Sequence, residues 1–436
     1  MTDILTLAGE IVKQIEGLFA EFGKNKAADF DSMETTVRSV MLEIGRLVLE
    51  TMMKVRGTGY AGKETRTSGG EKAKYRETRT RTIKTLMGPV KIERAYYYVG
   101  KNKGGYVPLD ESLCLPEEQY SYAVQEQMCL YAIEDSYEES AKKLRYTFPV
   151  EASGSTVRRI SCKHGKKIFQ EEEDRVEGIF SNKQKPPEPE IESVKRGYVG
   201  TDGVMVPTVK GYKEMKVITT YDTTYAKETL AEHLYYHALF AEPAVLGEHL
   251  WVMLKQRGIH DGADTIWCCD GAKWIWRQKS IHDPEGKEIV DFIHASEYLQ
   301  RVAYALDGEQ TEEGKKRYKR MKTLLRKSGG ETVLSALRKL AQVDTLKELD
   351  EAMTYYENNY TRMDYPTYES LSYHITSSTV ESACRHVVGD RLKRSGMRWT
   401  KHGAQQITLL RLKWKNEKWK HYWAAFRPNL VASSQK

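Results

Sequence analysis

No stretch of about 18 consecutive apolar residues occurs in this 436-residue chain, so no membrane-spanning helix is expected. Cysteine is scarce. Six are present, at 114, 129, 162, 268, 269 and 384, and no two have Cys-x-x-Cys spacing. That pattern argues against a disulfide framework and against a zinc knuckle, and suits reduced thiols in a cytoplasmic protein. The start of the chain, Met1-Thr-Asp-Ile-Leu-Thr-Leu, lacks the basic region and long apolar run of a signal peptide. Internal repeats are absent. Acidic residues thin out in two places, 54–104 and 385–420, where Lys and Arg accumulate although the net charge is only +7. Basic ends around a balanced middle point to a polyanionic partner, with nucleic acid ahead of a membrane surface. A merely solvated surface is the plainer explanation, and the clustering favours nucleic acid over it.

The length suggests about three units. Residues 1–55 carry helical periodicity in Ile4, Leu7, Ile11, Ile15 and Leu18, then in Val37, Val40, Met41, Ile44 and Leu47, with a break near Gly23–Asp31. Two helices forming a packing or dimerisation face follow from this. Residues 56–115 form a basic unit: a mobile loop over 56–75, then two strands around Met87-Gly88-Pro89, with Tyr96-Tyr97-Tyr98 near its end. Those tyrosines could stack on bases or equally well cover a small core. Residues 116–170 read as helices. Ser153-Gly-Ser-Thr-Val-Arg-Arg-Ile after a tight connection has the form of a helix-turn-helix, with a recognition helix near 155–168 presenting Arg158, Arg159 and Lys163. Many helical hairpins look alike, so this pattern is not specific. The charged, proline-containing stretch 171–195 is the expected linker.

Beyond it the order is strand 198–209, strand 213–221, a third strand or arm at 225–237, helix 242–257, strand 264–269, helix 271–280, strand 288–293 and helix 294–305. This describes an α/β domain with a mixed sheet and helices on both faces. Its first part spans 196–307, a helical insertion 308–365, and a last part with a basic tail 366–436.

Three acids stand out. Asp202 sits in the middle of the first strand of this half and is followed by Gly203. Asp270 ends the apolar run Thr-Ile-Trp-Cys-Cys and is followed by Gly271, and Glu381 falls in the first turns of a helix. Each alone has a bland explanation, a turn aspartate or a dipole-pairing glutamate. In the order strand-Asp, strand-Asp, helix-Glu they suit two divalent cations of the kind that cut phosphodiesters, since Mg²⁺ takes hard oxygen ligands. Asp222 and Asp291 are rival acids. Arg385 shares a helix face with Glu381, and Lys393, Arg391, Arg394 and Arg398 could follow a DNA backbone. Trp399, Trp274 or Trp276 could stack on an unpaired base, although a tryptophan beside a helix is more often core.

The motifs Gly200-Thr-Asp-Gly-Val-Met-Val-Pro, Cys269-Asp-Gly-Ala-Lys-Trp-Ile-Trp, Asp291-Phe-Ile-His-Ala-Ser-Glu-Tyr-Leu, Thr379-Val-Glu-Ser-Ala-Cys-Arg and Arg391-Leu-Lys-Arg-Ser-Gly-Met-Arg-Trp-Thr together resemble those of DDE transposases of bacterial insertion sequences. The likeness is to the ISKra type, with ISLre-type relatives, and covers most of the chain. It implies an RNase H-like catalytic domain with Asp202, Asp270 and Glu381 as metal-binding triad and 308–362 as the insertion between the second and third acids. It also implies two Mg²⁺ ions with Mn²⁺ as substitute, and DNA partners in the form of terminal inverted repeats and target. Asp291-x-x-His294 resembles a motif that follows the second acid in several such groups. Relatives often carry a zinc-ribbon-like Cys-x-x-Cys where this chain has Val99-Gly-Lys-Asn102, so the hairpin there is expected to hold together without metal. The expected activity is DNA cleavage and strand transfer by a nucleoid-associated cytoplasmic enzyme acting as a homodimer or larger assembly. A non-catalytic DNA-binding regulator and a different RNase H-like nuclease are the alternatives.

Overall fold

Alternating apolar residues and β-branched side chains build two sheets. The computed structural model describes residues 2–24, 28–101, 104–192, 194–223, 231–259, 264–309 and 311–427. The chain divides into two compact units, 1–163 with 419–436, and 164–418.

In the first unit, α1 (Thr2–Lys24) and α2 (Phe30–Arg56) precede a four-stranded antiparallel meander. Its strands are β1 (Glu64–Arg66), β2 (Lys72–Thr85), β3 (Gly88–Gly100) and β4 (Gly104–Tyr106). The expected hairpin around Gly88 is present. The basic stretch 56–75, expected as a loop, instead contributes β1 and the start of β2, because Ala73 packs against Ala95 and Tyr97. Tyr97 is core, whereas Arg76 and Arg79 lie over the rings of Tyr98 and Tyr96. After α3 (Pro108–Ser112) come α4 (Tyr122–Ala132), α5 (Tyr137–Thr147) and α6 (Gly154–Phe180). Ser121 and Ser136 cap α4 and α5 by accepting from the amides of Val124 and Glu139. The stretch 171–180, expected to open the linker, is instead the end of α6. Its acids are helical because Glu172 and Glu173 find Lys413 and His249 as partners.

The second unit holds a five-stranded mixed sheet of β5 (Arg196–Thr208), β6 (Gly211–Asp222), β7 (Glu232–Leu239), β8 (Asp264–Cys269) and β9 (Lys287–Val290). The strand order is β7-β6-β5-β8-β9. β6 is antiparallel to both of its neighbours, β7 and β5, and β8 and β9 run parallel to β5. The expected third strand lies at β7; residues 225–230 of that expectation fall outside those described. Helices α7 (Pro243–Gln256), α8 (Lys273–His282) and α9 (Phe292–Asp307) alternate with the parallel strands. The insertion consists of α10 (Glu312–Leu340) and α11 (Lys347–Asn359), followed by α12 (Tyr365–Ser370). Leu325, Val333, Leu337, Leu349 and Tyr356 share a core with β8, β9 and α9, so the insertion is packed into the domain. Then come α13 (Ser378–Ala383), a π-helical turn Cys384–Gly389, α14 (Asp390–Leu392) and α15 (Lys401–Lys415). A last helix, α16 (Trp419–Ala424), belongs to the first unit: Trp419 and Arg427 bond Glu126. Among the described residues no helix is long and apolar enough to cross a membrane.

Side chains alternate across β5, and so do its coverings. A Cβ on Gly197 would meet Ile259 just beyond α7, while a Cβ on Gly200 would meet Thr219 Oγ1 at 2.9 Å and Val380 of α13 at 3.1 Å. The missing side chain at 200 is what lets α13 seat on the sheet. Gly200→Val should therefore lower stability by roughly 1–3 kcal/mol through overpacking, read from urea denaturation. An unchanged midpoint would show that α13 is not held there.

Candidate active site

Asp270 and Asp291 follow the carboxyl ends of β8 and β9, the edge where open α/β sheets bind ligands, and Asp202 lies level with them in the middle of β5. Val199 is paired with Trp267, and three residues further along that register Asp202 is level with Asp270. Cys269 is paired with Val290, which sets Asp291 beside Asp270 on the other side. Neighbouring strands are about 4.8 Å apart, so Asp202 and Asp270 are near neighbours.

Electrostatics reflect this closeness. Burial pushes the Asp270 carboxyl above its ordinary value and the negative charge of Asp202 adds to the rise. The Ala272 amide, which donates to it at 3.0 Å, and the charges of His294 and Lys216 pull the other way. Two carboxylates in one partly desolvated place repel, and such a pair is a donor set that suits a cation.

Glu381 arrives from α13. Val380, before it, packs at Gly200, on the same face of β5 as Asp202. Cys384, one turn after it, donates its thiol to Asp202 Oδ2 at 3.6 Å. Burial, then the charge of Asp202 and its hydrogen bond, then the charge of Glu381, hold that thiol well above its usual range, so it stays a donor. Residues three apart on a helix lie on one side, and the charge of Glu381 is felt at the Cys384 thiol. Glu381 itself is exposed. The chain then widens into the π turn, a rare form found often at functional sites. Arg411 of α15 donates from Nε and Nη2 to the His386 carbonyl in that turn, at 3.1 and 2.6 Å. Arg385 is exposed beside it.

Asp291 has other work. It caps α9 by accepting from the His294 amide at 2.8 Å, and its second oxygen accepts from both the backbone and the hydroxyl of Ser377 at 2.5 Å. With its oxygens so engaged and only 5 % of its surface exposed, it ties α9 to the start of α13. His294 lies near Asp270 and pairs with Glu297 at 3.6 Å. The other rival acid, Asp222, is at the far end of β6, level with Gly197. Asp222, Glu232 and His233 are, among the described residues, the group whose ligand atoms all fall within 4.8 Å of one another. The triad is wider than that. Two ions about 3.5–4 Å apart, each bound at about 2.1 Å, need ligands spread more widely than one ion does.

Two supports came from contacts that no motif announces. Tyr355 of the insertion donates its hydroxyl to the Asp270 carbonyl at 2.8 Å and stacks on Tyr298 at 4.0 Å. Lys216 is buried, ion-paired with Glu214 at 2.8 Å, and sits 4.3 Å from the centre of the Trp274 ring. A groove beside Gly271 is lined by Lys273, Arg301, Lys347, Tyr298 and Tyr355.

The expected DNA contacts divide. Lys393, Arg394 and Arg398 are exposed, and Arg394 also donates to the Asp390 carbonyl at 2.7 Å. Arg391 and Trp399 are corrected: both are buried, with the guanidinium over the indole and the indole N–H donating to the Leu392 carbonyl at 3.1 Å. Trp399 also exchanges backbone hydrogen bonds with the end of β5, through Pro207 and Val209. A tryptophan fixed on three sides is not free to stack on a base. Trp276 is core as well, and Trp274 is half-buried under Lys216. On α6, Arg158 is exposed, while Arg159 and Lys163 are exposed but ion-paired with Glu118, at 2.5 and 3.7 Å.

The profile of an uncharacterised protein family, UPF0236, matches residues 24–420. No curated protein matches the chain.

The raised Asp270 pKa carries a sign. The folded state holds that proton more tightly than the unfolded chain does. Its contribution to stability is therefore full below the ordinary value of 3.8 and is lost as pH rises through the higher folded value. Asp270→Asn removes the cost of the buried charge. In EDTA the variant should melt ~1–3 °C above wild type at neutral pH, and the gap should close in acid. Equal melting temperatures across pH would show that the carboxylate is not strained.

Proposed function

We propose that this chain, which belongs to the UPF0236 family, is a metal-dependent DNA-cutting and DNA-joining enzyme: the transposase of an insertion sequence. The observation that supports this is the nearness of Asp270 to Asp202, with Cys384 bonded to Asp202 and lying within reach of the charge of Glu381. A sheet of three antiparallel strands continued by two parallel ones, with a helix in the connection before each of the latter, supports the RNase H-like reading. The donor set is all carboxylate, which fits Mg²⁺ or Mn²⁺ better than a softer metal.

Bound there by Asp202, Asp270 and Glu381, two such ions would activate the attacking oxygen and stabilise the leaving one. The chain's own residues supply position. The Cys384 thiol orients Asp202, Tyr355 and the Ala272 amide fix Asp270, and Asp291 ties down the segment that delivers Glu381. Lys216 and His294 temper the negative charge around Asp270. In hydrolysis a water oxygen bonds to phosphorus as the P–O bond to the 3′ oxygen breaks, leaving a 3′ hydroxyl. In strand transfer that hydroxyl attacks a target phosphorus and displaces another 3′ oxygen.

For DNA binding, the succession of α4, α5 and α6 supports a helix-turn-helix with Arg158 exposed on its last helix. Lys393, Arg394 and Arg398 supply exposed cations downstream of Glu381. The stacked arginines and tyrosines of the small sheet suit a strand of nucleic acid.

The test is an assay on DNA carrying the ends of the element, with Mg²⁺, Mn²⁺ or EDTA. Wild type should give cleaved and joined products only with metal. Asp202→Asn and Glu381→Gln should lose at least 100-fold in rate, on the order of 3 kcal/mol, while DNA binding is largely kept. A fully active Asp202→Asn enzyme would overturn the assignment. Binding without any product would favour a DNA-binding regulator, and cleavage without joining another nuclease of this fold.

A further inference from the structure

The helical hairpin at the start of the chain carries far more apolar surface than it covers. α1 and α2 pack on each other through one stripe each, with Leu7, Ile11, Ile15 and Leu18 partly covered on α1, and Met33 and Val40 on α2. A second stripe on each helix is left open. On α1 it is Leu5, Val12 and Phe19; on α2 it is Phe30, Val37 and Met41, continued by Met52 and Val55. Phe19 is 74 % exposed and Phe30 77 %. No residue along the 27 positions of α2 is fully buried. Leu49 and Met53 rest on the small sheet, but that contact uses another side of the helix.

Geometry puts the two open stripes together. At about 100° per residue, Leu5, Val12 and Phe19 fall within a ~40° sector, about 110° around the axis from the stripe that meets α2. On α2 the open stripe lies about 80° from the stripe that meets α1. Two helices joined by only five residues and packed on each other form an antiparallel hairpin, so these two rotations turn to the same side. One broad face of the hairpin is therefore apolar along both helices. Its size is about 35 Å by 20 Å, on the order of 700 Å². Stable protein interfaces bury about 600–1,000 Å² per partner, so the face is large enough for a dimer on its own.

We propose that this face is the dimerisation surface of the chain, pairing with the same face of a second copy to form a four-helix bundle. Two features select this occupant. The open residues recur at seven-residue intervals, 5-12-19 on α1 and 30-37 on α2, the spacing that lets helices pair side by side with knobs in holes. An antiparallel hairpin face is also close to two-fold symmetric, and so is self-complementary about a two-fold axis. Charge excludes the polyanion that the rest of the chain suits: α1 sets Glu10, Glu16 and Glu21 against Lys13 and Lys24. The inference does not depend on the proposed catalytic function and would stand if the cleavage assay failed.

Sedimentation of the full chain tests it, after nuclease treatment and in ~0.5 M salt, where DNA-bridged association is lost and apolar association is kept. Twice the 50.1 kDa chain mass is expected for wild type. Val12→Glu/Val37→Glu/Met41→Glu should weaken association at least 100-fold with the far-ultraviolet dichroism unchanged. In case that variant misfolds, Phe19→Cys alone should allow a bismaleimide to link two copies at a yield well above wild type. A wild-type monomer up to ~100 µM would overturn the proposal. So would a dimer indifferent to the glutamates and to the cysteine, or a monomer that carries a different protein on this face.

Discussion

Repulsion between two carboxylates is the constraint around which the second unit is arranged. Asp202 and Asp270 are level across adjacent parallel strands, and burial makes the charge of Asp270 costly in the presence of Asp202. A fold under selection for stability alone would replace one of them. This one surrounds them with devices that hold the charged pair in place. The Ala272 amide and the Cys384 thiol donate to their oxygens, and Lys216 and His294 sit near enough to soften the field. The insertion contributes too, since Tyr355 anchors the backbone of Asp270 from α11. A long insertion packed into the common core acts as a brace for the site rather than as a separate appendage.

Delivery of the third acid depends on small distances. Gly200 leaves room for Val380, which seats α13; Asp291 binds Ser377, which fixes where α13 begins. The π turn after Ala383 leaves the backbone short of regular helical partners, and Arg411 fills the gap at His386. Glu381, alone of the three acids, is exposed. On the proposed function, that difference would put Glu381 at the rim of the site, with the two aspartates beneath it.

Much of this was legible in the amino-acid order. Alternation around Asp202 and the apolar run ending at Asp270 specify strands, and a period of two leaves little freedom of register. The glycines after both acids, and the helical pattern of 308–362, were equally plain. What could not be read was anything set by contact across the chain. Cys384 is 182 residues from Asp202, and nothing about Lys216 in a strand of mixed polarity marks it as a neighbour of Asp270. Arg391 and Trp399 looked like surface groups because they lie in a basic run, yet stacking on each other let both be buried. The acids of 171–174 suggested a linker, because a charged stretch looks like solvent-exposed chain until its partners on other elements are known.

The measurement closest to the central claim is anomalous diffraction from crystals soaked in Mn²⁺. Two peaks about 3.5–4 Å apart, flanked by Asp202, Asp270 and Glu381, are the predicted result. Density confined to Asp222, Glu232 and His233, with none at the aspartate pair, would contradict the account.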